Sequence, residues 1–220
     1  DLPDEVLGAG YTNTLSPLLV EKYLAIANEV LDRSFARAGS KPTAVQRRLI
    51  GELPAKGVDP TPAARKTARS LARLAFRRPA SDAEVDVLLR VFSLARANGK
   101  AYPDAMRLMV KAVLVSPQFL FITPLPIAGG GTAAVSNETI PLDNYQLASR
   151  LSYMLWATMP DAELSALADS GKLQNTEVLA AQAKRLLSDP RSRALFDGFG
   201  AQWLAVNAGK VLFDAGLTAT

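Results

Sequence analysis

The side chains of this sequence that could carry chemistry are arginines, carboxylates and aromatic rings, because its 220 residues include no histidine and no cysteine. Those two residue types supply the proton shuttle that works near neutral pH, the thiolate nucleophile and most ligands of transition metals. Covalent attachment of a c-type haem needs them as well. We therefore expect no catalytic residue, no metal site and no cofactor in this chain.

Arginines recur at every fourth position over one stretch of the sequence: Arg65, Arg69, Arg73 and Arg77. Side chains at this spacing share one face of a helix, and here alanine and leucine line another. With Arg78, the next residue, this stripe could bind a phosphate group or an anionic partner. The alternative is structural, since basic residues in a last turn complement the helix dipole and Pro79 would end the helix.

Aromatic and cationic residues in the second half of the chain form another candidate site. Arg150, Tyr153 and Trp156 fall on one predicted helix, and Trp203 falls on another. Packing between these two helices would explain the aromatic rings. The alternative is a groove for a partner or ligand, with Arg150 at its mouth.

Carboxylates are the remaining acid and base groups. Asp161 with Glu163, and Asp82 with Glu84, stand at predicted helix starts, where negative charge is favoured. Helix capping explains both pairs, although a two-carboxylate hydrolase or a calcium site with oxygen ligands stays open. Asp161 could also contribute, with Arg150, to a cleft shared with further domains.

The periodicity of the apolar residues predicts an all-α fold, a multi-helix bundle of about eight helices in two sub-bundles. The predicted helices are 17–38, 62–77, 82–97, 103–115, 144–157, 160–170, 176–187 and 190–206. A short helical turn around 45–50 is expected as well. A capping residue before proline marks helix starts at 16–17, 61–62 and 189–190, and capping boxes mark starts at 81–84 and 143–146.

Prolines and glycines divide the chain into an N-terminal helical domain, residues 1–122, a linker, residues 123–141, and a C-terminal helical domain, residues 142–220. The linker contains three consecutive glycines at 129–131. A phosphate-binding loop would need a Gly-Lys-Ser/Thr sequence that opens a helix, or a preceding strand, and the sequence predicts neither. The composition is instead typical of a mobile connection.

Charge is distributed unevenly along the chain. Residues 33–78 carry twelve lysines and arginines against two acids, whereas the remaining residues carry thirteen basic and nineteen acidic side chains. The basic stretch is either a solvated face or a surface that docks an anionic partner. The apolar stretches are too short for a membrane span, and Asp1 opens no signal-peptide pattern.

Five segments of the sequence, in the same order, resemble a known family. Leu74–Leu89 contains the motif Phe-Arg-Arg-Pro and Leu142–Leu173 contains Ser-Tyr-Met-Leu-Trp; the other segments are Leu15–Val30, Ala105–Phe121 and Lys184–Leu204. The family comprises cytochrome-associated domains of unknown function in exported proteins of planctomycetes and myxobacteria. By this resemblance the chain is similar to the 1592 domain, preceded by the 1595 domain and the tail of the 1587 domain.

The resemblance implies export to the periplasm or the cell surface and a link to a c-type cytochrome module, and it implies no established reaction. Our leading hypothesis is a non-catalytic helical scaffold or docking module. Its partner- or ligand-binding residues would be Arg69, Arg73, Arg77, Arg78, Arg150, Tyr153, Trp156 and Asp161. The first alternative is a domain of an enzyme whose catalytic or redox groups lie in modules outside this chain. The second is binding of an anionic ligand or nucleic acid through the Arg65–Arg78 stripe, which the acidic remainder of the chain would oppose.

Overall fold

The computed structural model describes residues 17–36, 40–51, 53–55, 57–121 and 141–200. Within these ranges all regular structure is helical and no strand occurs, which confirms the predicted all-α class. The chain divides into two compact units, Asp1–Thr139 and Ile140–Thr220, called here the first and the second unit. Each unit has a hydrophobic core of its own. The predicted linker lies outside the described residues except for its last residue.

The first unit contains six described α-helices: α1 (Pro17–Ser34), α2 (Ala44–Ile50), α3 (Thr61–Phe76), α4 (Asp82–Ala97), α5 (Tyr102–Leu114) and α6 (Pro117–Leu120). The expected turn around 45–50 is the helix α2, and α6 is a short helix that the periodicity did not predict. Thr43 caps α2 by accepting a hydrogen bond from the Gln46 amide at 2.9 Å. The buried Gln46 side chain accepts from the Ala36 amide at 3.0 Å, so the end of α1 is tied to the start of α2.

The core of the first unit forms where α3, α4 and α5 pack together. Ala64, Ala68 and Ala72 recur at every fourth residue of α3 and are fully buried, and such small side chains let the neighbouring helices approach closely. Phe92 of α4 and Tyr102 of α5 meet edge to face, with ring centroids 5.7 Å apart. This packing fixes the directions in which the opposite faces of α3 and α4 project.

The second unit contains α7 (Asn144–Trp156), α8 (Ala162–Asp169) and α9 (Thr176–Ser188), with a short 3₁₀ helix at Lys172–Gln174. Their apolar faces meet around a small core: Ala148, Leu155, Trp156, Leu164, Ala168, Leu173 and Leu186. After α9 the chain continues as a 3₁₀ turn at Pro190–Ser192, the single-turn helix α10 (Arg193–Leu195) and a π-helical turn at Phe196–Gly200.

The predicted capping signals are largely confirmed. Both capping boxes are present, Ser81 with Glu84 before α4 and Asp143 with Gln146 before α7. The prediction that Thr61 caps α3 was wrong, because Thr61 lies inside the helix and its amide donates to the Asp59 carboxylate at 2.9 Å. Residue 16, the proposed cap of α1, lies outside the described residues.

The prediction of one continuous helix over 190–206 was also wrong for residues 190–200. Proline after Asp189 starts a 3₁₀ turn instead of a full α-helix, and Gly198 and Gly200 lower helix propensity in the following turns. Residues 201–206, including Trp203, lie outside the described residues. Over the part of the chain that the structure describes, no helix is both long and apolar enough to cross a bilayer.

Candidate functional site

The Phe-Arg-Arg-Pro motif forms the corner between α3 and α4. Arg77 ends α3 in a left-handed conformation, with φ at 59°, and its guanidinium turns back toward α6. It donates to the backbone carbonyl oxygens of Gln118 at 2.8 Å, Phe119 at 3.3 Å and Phe121 at 2.9 Å. These oxygens stand at the end of α6, where no further turn of helix would satisfy them, so Arg77 holds the short helix α6 against the corner.

Arg78 forms a two-pronged ion pair with Glu84 of α4. The Nη1 to Oε2 distance is 2.9 Å and the Nη2 to Oε1 distance is 2.7 Å, and both side chains are mostly buried. Glu84 also accepts a hydrogen bond from the Ser81 amide at 2.8 Å, which completes the capping box. The Arg78 hydrogen bond, above all, lowers the pKa of Glu84 to about 2. The charge of Arg78 is therefore compensated inside the corner.

The rest of the arginine stripe faces carboxylates of the neighbouring helix. Arg65 lies 2.9 Å from Asp86, and Arg69 lies 2.7 Å from Asp82. Arg73 is partly buried and also makes an intramolecular interaction. Exposed ion pairs such as Arg65–Asp86 and Arg69–Asp82 each contribute only about 0–1 kcal/mol to stability. They do, however, place negative charge beside the stripe, which weakens the attraction of this face for phosphate.

Trp156 lies in the core of the second unit and is only 3% exposed. Its Nε1 donates to the Leu186 carbonyl at 2.8 Å, which joins the end of α7 to the last turn of α9. The guanidinium of Arg191 stacks on the indole ring, 3.5 Å from the ring centroid, and that of Arg185 lies 5.6 Å away. The ring is therefore not an open contact surface in this structure.

Asp161 caps α8 and binds Arg185 of α9 at the same time. It accepts from the Leu164 amide at 2.9 Å and receives two hydrogen bonds from Arg185, at 2.8 and 3.1 Å. Desolvation alone would raise the pKa of Asp161, but the hydrogen bonds from Arg185 and Leu164, with the charges of Arg185 and Arg191, outweigh it and the pKa is lowered. The same Asp161 hydrogen bond raises the pKa of Arg185.

The structure joins some of the residues that the sequence grouped together and separates others. Trp156 and Asp161 belong to one cluster because Arg185 contacts both. Tyr153 is partly buried and also takes part in an intramolecular interaction. Arg150 is exposed and forms no hydrogen bond or ion pair with the described residues. The groove predicted with Arg150 at its mouth stays a prediction, since Trp203 lies outside the described residues.

Sequence reasoning missed the residues that close this cluster. Gln182 is buried, donates to Glu163 at 2.7 Å and accepts from Arg185 at 2.7 Å. Asp189 accepts three hydrogen bonds from Arg191, which lower its pKa to about 2. One feature of the sequence could have revealed the cluster: two polar residues, Gln182 and Arg185, interrupt the otherwise apolar inner face of α9.

An apolar groove of about 640 Å³ runs between α2 and α3 in the first unit. Its floor is aliphatic. The lining residues that could contact a ligand or partner include Val45, Arg48, Leu49, Lys66, Leu71 and Leu74. A second apolar groove, of about 480 Å³, is lined by residues of α1, α4 and α5. Over the described ranges, no group of three or more carboxylates is arranged to hold a metal ion.

Two family models match the chain. Residues 63–123 match PSD5, described as a protein of unknown function (DUF1595), and residues 142–215 match PSD4, described as a protein of unknown function (DUF1592). Neither match reaches residues 1–62, so the tail of the 1587 domain stays a prediction. No curated protein and no solved structure matches the chain. The chain therefore contains a domain of the DUF1595 family followed by a domain of the DUF1592 family, both of unknown function.

Proposed function

We propose that this chain is a non-catalytic helical docking module of an exported, cytochrome c-linked protein. The observation that carries the proposal is the groove between α2 and α3, an apolar surface with two cations at its margin that no described residue covers. A concave apolar surface edged by a few polar groups is typical of binding sites.

The pKa shifts of Glu84 and Asp161 support a binding role over a role as general acids. A carboxyl group that acts as a general acid near neutral pH needs a raised pKa. Burial without a cationic partner raises the pKa of a carboxyl group in this way. Arginine contacts instead lower the pKa of both Glu84 and Asp161. Both carboxylates therefore stay ionised near neutral pH, where they cap helices and pair with arginines.

Export and the cytochrome link rest on the family resemblance. Because this chain contains no cysteine or histidine, it cannot bind a c-type haem covalently, so a haem group would belong to a partner or to a separate module. In such an assembly the basic stretch of residues 33–78 would attract an acidic partner and orient it.

A capture experiment tests the proposal. The full chain, immobilised by a tag, is exposed to an extract of its native host, and the eluate is scanned for the absorbance of c-type haem and identified by mass spectrometry. A retained c-type cytochrome that an immobilised unrelated helical protein fails to retain would support the docking role. A chain that elutes without any cytochrome would overturn the cytochrome link.

A further inference from the structure

The apolar groove between α2 and α3 has the shape and the charge of a helix-binding site. We infer that it receives one acidic amphipathic helix of a partner protein, an inference that rests on the proposed docking function and names its site. The helix would lie with its apolar face on the aliphatic floor and its carboxylates toward the cationic margin, as amphipathic helices do in such grooves.

The floor of the groove exposes aliphatic side chains to solvent. Val45 of α2 is 51% exposed and Leu74 of α3 is 60% exposed, while Leu49 and Leu71 between them are half-buried against the core. These side chains stand on two neighbouring helices, which leaves a furrow into which the side-chain ridge of a third helix fits. Burying such side chains against a partner favours association, because it removes apolar surface from water.

The charge around the groove selects an acidic occupant. Neither α2 nor α3 contains an aspartate or a glutamate. Arg48 and Lys66 line the groove, are exposed, and form no ion pair with any described residue. By contrast Arg65 and Arg69, on the other face of α3, are paired with carboxylates of α4. A basic occupant would add to the positive charge of Arg48 and Lys66, whereas glutamates on an incoming helix would compensate it.

The lining also argues against nucleic acid as the occupant. Binding of single strands relies on aromatic rings that stack on the bases, and none of the residues that line this groove is aromatic. An aliphatic floor instead favours the leucine-rich face of a helix.

The test uses the full chain and a labelled synthetic helix of about four turns, with leucines on one face and glutamates on the other. Binding is followed by fluorescence anisotropy, and a second peptide carries lysine in place of each glutamate. We expect the glutamate peptide to bind saturably and the lysine peptide to bind at least about tenfold more weakly, a difference of about 1.4 kcal/mol.

A charge-reversed variant locates the binding site. Arg48→Glu combined with Lys66→Glu should weaken binding of the glutamate peptide by about tenfold or more. The matched control, Lys22→Glu combined with Arg90→Glu, makes the same change in net charge on exposed residues of α1 and α4 that do not line the groove, and should leave the affinity within about twofold. Circular dichroism shows whether each variant folds. Leu74→Asn, a single change at an exposed position, tests the floor independently and should also weaken binding.

Three results would overturn the inference. The first is equal binding of the glutamate and lysine peptides, or no binding of either. The second is an equal loss of affinity in the groove variant and in its matched control. The third is peptide binding that becomes tighter when Asp4 and Glu5 are changed to asparagine and glutamine but not when exposed Glu21 and Glu177 are both changed to glutamine, because the amino-terminal segment would then be the occupant. If the groove variant still retains the cytochrome in the capture experiment, the docking function stands and only the groove is refuted.

Discussion

Trp156 shows how a residue that resembles a surface contact in the sequence can serve as a structural anchor. Its Nε1 donates to the Leu186 carbonyl, which lies in the last turn of α9 and also accepts from the Asp189 amide at 3.3 Å. Arg191 stacks on the same ring. The indole thus joins α7, α9 and the turn that follows α9 through one side chain.

Trp156→Phe should destabilise the second unit by about 2–4 kcal/mol, because it removes the hydrogen bond to the Leu186 carbonyl and leaves space beside the smaller ring. The free energy of unfolding from urea titrations measures the loss. Met154→Ala is the matched control on the same helix, since Met154 is 65% exposed, and it should change stability by no more than about 0.5 kcal/mol. Equal effects of the two substitutions would contradict the anchoring role.

The ion pair of Arg78 with Glu84 predicts how stability depends on pH. Folding lowers the pKa of Glu84 from 4.5 to about 2, so the folded chain holds this proton less tightly than the unfolded chain. The stabilisation is therefore complete above about pH 4.5 and is lost as the pH falls toward 2. The free energy of unfolding, measured from pH 7 to pH 2, should fall less steeply for Glu84→Gln than for the unmodified chain.

Arg78→Gln is the partner control for this prediction, because it keeps the carboxylate and removes the positively charged group that pairs with it. It should flatten the pH dependence as Glu84→Gln does. Parallel curves for all three proteins would show that the ion pair makes no net contribution to acid stability.

Sequence reasoning identified Arg78, Trp156 and Asp161 but could not identify their partners. The partners lie 6, 30 and 24 residues away along the chain. Only the contact between Arg78 and Glu84 is close enough in sequence for a local motif, the capping box that includes Glu84, to indicate it. The other two contacts depend on how α7, α8 and α9 pack, and the apolar periodicity does not specify that packing.

At the scale of the helices, two starts were predictable because a capping box determines each of them. The capping boxes at Ser81 and Asp143 were predicted from residue types alone. The conformation that ends α7 was not predicted, because Ala157 adopts φ 52°, which alanine disfavours. Buried Ser152 donates to the Thr158 carbonyl at 2.7 Å and helps to hold this turn, so tertiary context overrides local preference.

Ala157→Gly should therefore stabilise the second unit by about 1 kcal/mol, because glycine adopts the left-handed conformation without strain from a β-carbon. Thermal unfolding followed by circular dichroism measures the change. Ala180→Gly is the control with the opposite sign, since Ala180 is exposed in the interior of α9 and glycine there should cost about 1 kcal/mol. Destabilisation by both substitutions would refute strain at Ala157.

At the scale of the whole molecule, the groove between α2 and α3 was beyond sequence reasoning. The uneven charge of residues 33–78 was evident, and the sequence attributed its binding capacity to the stripe on α3. The fold turns Arg65, Arg69 and Arg78 toward carboxylates of α4 and leaves Arg48 and Lys66 beside the aliphatic groove. Which cations remain available to a partner depends on helix packing, which composition does not reveal.

The separate cores of the two units predict unfolding that is not two-state for the whole chain. Trp156 lies in the core of the second unit, so its fluorescence, measured in a Trp203→Phe background, reports on that unit, whereas circular dichroism reports on both. The two probes should give different urea transitions. Leu164→Ala, in the core of the second unit, should cost about 2–5 kcal/mol and lower the fluorescence midpoint, whereas Met109→Ala, in the core of the first, should leave that midpoint unchanged. If Met109→Ala lowered the fluorescence midpoint as much as Leu164→Ala does, the two units would unfold as one cooperative body, and the independence of their cores would be refuted.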